Sequence, residues 1–185
     1  IPTDTCLHVN AHALARYASL CQESDIVPIV EPEVLMDGIH SIDTCYEVSE
    51  KTFSKVFEEL DKQRVYFDGM VLKPNMIVPG LGCSEQAGIE EVADRTVACL
   101  KATVPEDVAG CAFLSGGQSN ENATAHLNKM NNKHGDNLPW NLTFSYGRAL
   151  QASALQAWSG KNEDIQSAQE AFFQRAKFNG MATSG

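Results

Sequence analysis

The sequence lacks any apolar run near the ~18 residues of a membrane-spanning helix, and no basic-then-apolar leader is visible at its start. It has no cluster of Lys or Arg: 14 basic residues stand against 24 acidic ones, for a formal charge of −10. That balance argues against a binder of nucleic acid, which would need basic clusters to neutralise phosphates. There is no HExxH and no CxxC, and no Ser/Gly-rich linker, low-complexity tract or close internal repeat. What is present is ordinary globular composition, 43 % hydrophobic and 21 % charged over 185 residues, a length for one domain or at most two. The first residue is Ile1 rather than Met, so what precedes it is left open.

Six cysteines (Cys6, Cys21, Cys45, Cys83, Cys99, Cys111) are scattered, most of them within apolar periodic stretches. A free Cys in such a stretch behaves as a small buried hydrophobe. Reduced, intracellular thiols are therefore expected rather than three disulfides. The sequons at Asn122 and Asn141 would matter only in a secreted protein.

Along the chain, helical and strand-like segments alternate. Residues 5–22 have helical spacing, with Leu7, Leu14, Tyr17, Ala18 and Cys21 on one side. Ile26 to Glu31 is a short β-branched run that predicts a buried strand. Helical spacing returns over 44–62, and Val65 to Lys73 is strand-like again. Ile89 to Leu100 carries a full helical stripe, with Gly88 as a tolerable N-cap. Gly110 to Leu114 predicts a strand, and Ser119 an N-cap for the helix through Ala123, Leu127 and Met130. Leu142 to Tyr146 predicts the last strand. A helix through Ala149 and Trp158 follows and is stopped by Gly160, and a final amphipathic helix runs from about Asp164 to Phe178. Four strands alternating with helices mean βαβ units and a parallel sheet.

Polar residues recur at the C-terminal ends of these strands. Glu31 and Lys73 are 42 residues apart, as are Lys73 and Ser115, and Arg148 lies 33 beyond Ser115. In parallel α/β folds that edge carries the chemistry, because the loops converge there.

Lys73 ends the run Met70-Val71-Leu72-Lys73-Pro74-Asn75, and alternation puts it on the same face as Val71 and Gly69. A lysine on such a strand either snorkels to water from an edge or is an amine tuned to attack a carbonyl and form a Schiff base. Glu31 and Glu33 flank Pro32 and point to one side of an extended segment. They are either a solvated strand end or a convergent pair for proton transfer. Ser115-Gly116-Gly117 and Ser145-Tyr146-Gly147-Arg148 each follow a strand. Glycines there let backbone N–H groups approach an anion, and Arg148 at a helix start adds a planar fork for phosphate oxygens. His8 and His12 have the i, i+4 spacing of some metal ligands, but no third ligand is evident nearby, so they are expected on a solvated helix face. Trp140 and Trp158 are expected to be packing residues.

The segments ALARYASLCQ (13–22), VPIVEPEVLMDG (27–38), VLKPNM (71–76), FLSGGQS (113–119), LTFSYGRALQASALQAW (142–158) and QEAFFQRA (169–176) closely resemble class I fructose-bisphosphate aldolase, in family order and spacing. Asp68, Val71 and Gly88-Ile89 are small departures from the family pattern that touch no matched catalytic position. The resemblance implies an α/β fold, a (βα)8 TIM barrel typically of ~250 residues or more. Four strands correspond to its last four βα units. Residues 1–185 are thus expected to be the C-terminal half of a single TIM-barrel domain, a fragment without the N-terminal half and the C-terminal tail.

The resemblance further implies a lyase of glycolysis and gluconeogenesis that cleaves fructose 1,6-bisphosphate reversibly. Lys73 would be its Schiff-base residue, Glu31 its proton shuttle and Glu33 a neighbour tuning charge. Ser115, Gly116, Gly117, Ser145, Gly147 and Arg148 would form its phosphate-binding segments. It implies no cofactor and no metal, a phosphosugar substrate, no nucleic-acid or membrane partner, a homotetramer and a cytoplasmic setting, with a plastid form left open. Three alternatives stand beside it: a Schiff-base lyase for another phosphosugar, a hydrolase using Glu31 and Glu33, and a non-catalytic truncated chain serving as a binding or scaffold piece.

Overall fold

The computed structural model describes residues 2–185. Helix α1 spans Asp4–Glu23 and is capped by the Thr3 hydroxyl, which accepts the Cys6 N–H. Strand β1 (Ile29–Val30) leads to helix α2 (Ile42–Lys62), whose N-cap Ser41 accepts the Thr44 N–H. A 3-10 turn at Phe67–Gly69 precedes β2 (Val71–Leu72). Then come α3 (Ile89–Thr103), β3 (Gly110–Phe113), α4 (Asn120–His134), β4 (Asn141–Phe144), α5 (Arg148–Trp158) and α6 (Ile165–Ala182). Gly88 and Ser119 stand at the N-caps of α3 and α4 as expected. After α5 the chain turns through left-handed Ser159 and Gly160.

The four strands form one sheet in the order β1-β2-β3-β4, every neighbouring pair parallel. Val30, Leu72, Cys111 and Leu142 lie side by side in register, and all four are buried. They point into the helix layer, where Phe53, Leu60, Leu100 and Leu127 complete the core. Period two then turns the next residues, Glu31 and Lys73, to the opposite face. β1 and β4 are the edges of the sheet among the described residues.

Several expectations need correction. The run Ile26 to Glu31 does not form a buried strand: only Ile29–Val30 pair, and Ile26, Val27 and Ile29 are exposed at the sheet edge. Residues 67–69 wind into a 3-10 turn instead of extending β2, because Gln22 of α1 clamps this entry. Its side chain donates to the Tyr66 and Gly69 carbonyls and accepts the Tyr66 N–H. Trp140 is buried and donates to the Pro105 carbonyl, but Trp158 is exposed. His8 and His12 lie on a solvated helix face as expected, with side chains 58 % and 45 % exposed, but that face also carries a contact the spacing does not show. Their Nδ1 atoms lie 3.6 and 3.4 Å from the carboxylate of Glu59 on α2. Lys62 and Lys55 reach the same carboxylate, which is 3 % exposed. Led by the Lys62 ammonium, with His12 and Lys55, these contacts hold it down at about 2. Of the cysteines, Cys45, Cys99 and Cys111 are buried and Cys6 is exposed, all unpaired. Burial pushes the Cys99 and Cys111 thiols up to about 12. No described helix is long and apolar enough to cross a membrane.

Candidate active site

The C-terminal ends of the strands bring the sequence-derived residues to one rim. The Lys73 N–H donates to the Val30 carbonyl at 2.7 Å, extending the β1–β2 ladder to the residues that carry the candidate chemistry. Across that ladder Lys73 Nζ lies 3.0 Å from Glu31 Oε1. The lysine side chain is 19 % exposed and the glutamate 45 %. A half-exposed pair of this kind adds about 0–1 kcal/mol to stability, so what it fixes is position: an amine and a proton acceptor in contact. Glu33 is exposed and forms no ion pair with Lys73 among the described residues. With Glu31 it lines a cavity of about 1060 Å³ between α1, α2 and the loop after β1. That cavity touches neither Lys73 nor the glycine turns.

Next to Lys73 the fold is rigid. Pro74 to Gly80 is buried throughout. Asn75 spends its whole carboxamide here: Oδ1 accepts the Val34 N–H, and Nδ2 donates to Ser49 Oγ and the Met76 carbonyl. In the sequence Asn75 stands out only as the end of the Met70–Asn75 run. Two of its three partners lie 26 and 41 residues away, and nothing local announces them.

At the end of β3, the Gln118 N–H donates to the Ser115 carbonyl at 3.0 Å across Gly116 and Gly117. Those two have φ of +60° and +93°, the left-handed pair of a type I′ turn, which only glycine adopts freely. Their amides have no protein acceptor among the described residues. The Arg148 guanidinium lies over this turn, its two terminal nitrogens 3.5 and 3.6 Å from where a Cβ on Gly117 would stand. Arg148 opens α5 behind Gly147, so the first N–H groups of that helix face the same region without helical partners. Arg148 is exposed and has no carboxylate partner among the described residues. Ser145 is tied to β3 through its N–H to the Phe113 carbonyl at 2.8 Å. Met36, from the loop after β1, has its sulfur against both glycines. It bridges the Glu31 end to the glycine turn and was not anticipated. The arrangement offers a nucleophile with a proton acceptor, and beside it a cradle of free amides, a helix N-terminus and a guanidinium suited to phosphate.

The family model described as class-I fructose-bisphosphate aldolase matches residues 1–185. The chain belongs to the class I fructose-bisphosphate aldolases. It is 54 % identical over 186 residues to the probable fructose-bisphosphate aldolase class 1 of Xanthomonas campestris pv. campestris, covering 100 % of this chain and 55 % of that protein. It is 50 % identical over 184 residues to fructose-bisphosphate aldolase B of Gallus gallus, again over 100 % of this chain and 50 % of that protein. The Plasmodium falciparum aldolase, solved in complex with TRAP and a small-molecule inhibitor, superposes with a TM-score of 0.95 at 49 % identity. That match covers 99 % of this chain and 52 % of the Plasmodium chain. The chain thus spans about half the length of the curated relatives it matches. As an aldolase-family fold, its four parallel βα units are a part of a (βα)8 barrel.

Proposed function

We propose that the protein of which this chain forms part is a class I aldolase, a lyase cleaving fructose 1,6-bisphosphate reversibly into dihydroxyacetone phosphate and glyceraldehyde 3-phosphate. The observation that carries this reading is the 3.0 Å contact between Lys73 Nζ and Glu31 Oε1 at the strand rim. Lys73, having passed its proton to Glu31, attacks the substrate ketone. Glu31 returns a proton to the resulting hydroxyl, water leaves, and an iminium forms. Glu31 then takes the proton of the C4 hydroxyl, the C3–C4 bond breaks, its electrons move toward the iminium to leave an enamine, and glyceraldehyde 3-phosphate departs. The remaining enamine is protonated and the iminium hydrolysed to release the ketose phosphate and free Lys73. No step calls for a metal or a cofactor.

Ser115, Gly116, Gly117, Ser145, Gly147 and Arg148 hold one phosphate in this scheme, and Glu33 tunes charge from the acidic segment after β1 without pairing with the amine. The remaining four βα units would come from the rest of the polypeptide. A homotetramer in the cytoplasm, or a plastid counterpart, is the setting the family membership favours.

Borohydride reduction of the full-length protein in the presence of dihydroxyacetone phosphate tests the scheme. A covalent adduct on Lys73 is expected, and none in Lys73→Arg, whose guanidinium stays protonated. An adduct in that variant removes Lys73 from the role. No adduct in the unaltered protein favours instead a carboxylate-pair hydrolase or a non-catalytic scaffold.

A further inference from the structure

His126 sits on α4, 5 % exposed, and no step of the scheme above uses it. Its Nδ1 lies 2.6 Å from Gln118 Oε1. The other end of the Gln118 amide, Nε2, donates to the Ser115 carbonyl at 3.1 Å and to the Met76 sulfur at 3.5 Å. The Ser115 carbonyl therefore receives two N–H groups from one residue, the backbone and the side chain of Gln118.

The orientation of that amide is forced. Ser115 presents only an acceptor, so Nε2 must face it and Oε1 must face the histidine. The histidine must then donate from Nδ1. Were Nδ1 the bare nitrogen, Gln118 would have to flip, and its oxygen would oppose the Ser115 carbonyl. Burial pushes His126 down to about 4, so at neutral pH it is an uncharged ring with a single N–H to place.

We propose that His126 is a positioning residue for the phosphate-binding turn: its Nδ1–H orients Gln118, which closes the Ser115–Gln118 turn and so aims the amides of Gly116 and Gly117. The inference rests on the reading of that turn as a phosphate site. The competing account is that His126 merely fills α4's buried face beside Ala123, Leu127 and Met130.

The test uses the full-length protein. His126→Leu removes the donor. His126→Asn keeps an N–H near the position of Nδ1. Gln118→Met, at a partly exposed turn position, breaks the link from the other side should His126→Leu not fold. His126→Leu and Gln118→Met are expected to raise KM for the bisphosphate about three- to tenfold, with kcat changed less than twofold. His126→Asn is expected to restore KM to within twofold of the original. A residue that only fills space would lower stability without this split between KM and kcat, and without the asparagine rescue.

Unchanged KM in both His126→Leu and Gln118→Met, with a raised KM in Arg148→Ala, overturns the positioning role alone. Unchanged KM in Arg148→Ala overturns the phosphate reading, and this inference with it.

Discussion

The side-chain oxygen of Asn75 accepts the backbone N–H of Val34 at 3.0 Å. This bond anchors the residue next to Glu33, so the acidic segment after β1 is held by the residue two beyond Lys73. The candidate nucleophile and its acidic neighbours are therefore parts of one braced unit rather than of two independent loops.

Replacing Asn75 by Ala should destabilise the full-length protein by about 2–4 kcal/mol, since buried donors and acceptors on Val34, Ser49 and Met76 lose partners at once. Asn75→Asp should do nearly as much harm, because it turns an acceptor toward the Met76 carbonyl. Urea unfolding midpoints measure both. A loss under 1 kcal/mol for either would mean that the brace is dispensable.

Glu31→Gln keeps the size and the reach to Lys73 but cannot take up a proton. Turnover should fall about 10²- to 10⁴-fold, with KM changed little. Steady-state kinetics that show near-normal kcat would assign the proton transfer to another group.

Arg148→Ala should weaken binding of phosphorylated substrate far more than it slows bond cleavage. A charge-assisted contact contributes about 1.5–3 kcal/mol, so KM should rise about 10- to 150-fold. Comparison of KM with the single-turnover cleavage rate separates the two effects.

Acid should expose His126. The ring is held near 4 in the fold, against about 6.5 in an unfolded chain. Between those values the unfolded state binds more protons, so stability falls as pH drops from about 6.5 to about 4 and levels off below. The loss approaches 1.4 kcal/mol per pH unit at most. Unfolding at pH 7 and pH 5, compared with His126→Asn, should show the variant gaining relative to the original protein at pH 5. An unchanged gap would contradict a buried neutral histidine.

Much of this was legible in the sequence where the signal is local. Ser119 caps α4, Gly160 stands just past the end of α5, and the glycine pair after β3 turns as its composition requires. Lys73 and Glu31 could be matched because each ends a strand-like run and period two sets the face. What was hidden lies in pairings over long separations. The strands β1 and β2 ladder over only two residues each, since neighbouring segments spend their backbone on turns and on side chains such as Gln22. That the solvated His8 and His12 also reach Glu59, 47 residues beyond His12, is invisible to helical periodicity. Gln118 and His126, eight residues apart across a helix start, fall outside any simple repeat.

The loops after β1 and β2 are laced together by three backbone bonds: Gly80 to His40, Leu81 to Met36 and Gly82 to Gly38. A Cβ on Gly80 would sit 2.5 Å from the Gly38 oxygen, which leaves no room for a side chain. Surface loops ordinarily absorb insertions and deletions independently. These two cannot: lengthening one by a residue would slide it against the other and drag Met36 off the glycine turn. Natural variants of this protein should change length in both loops together or in neither.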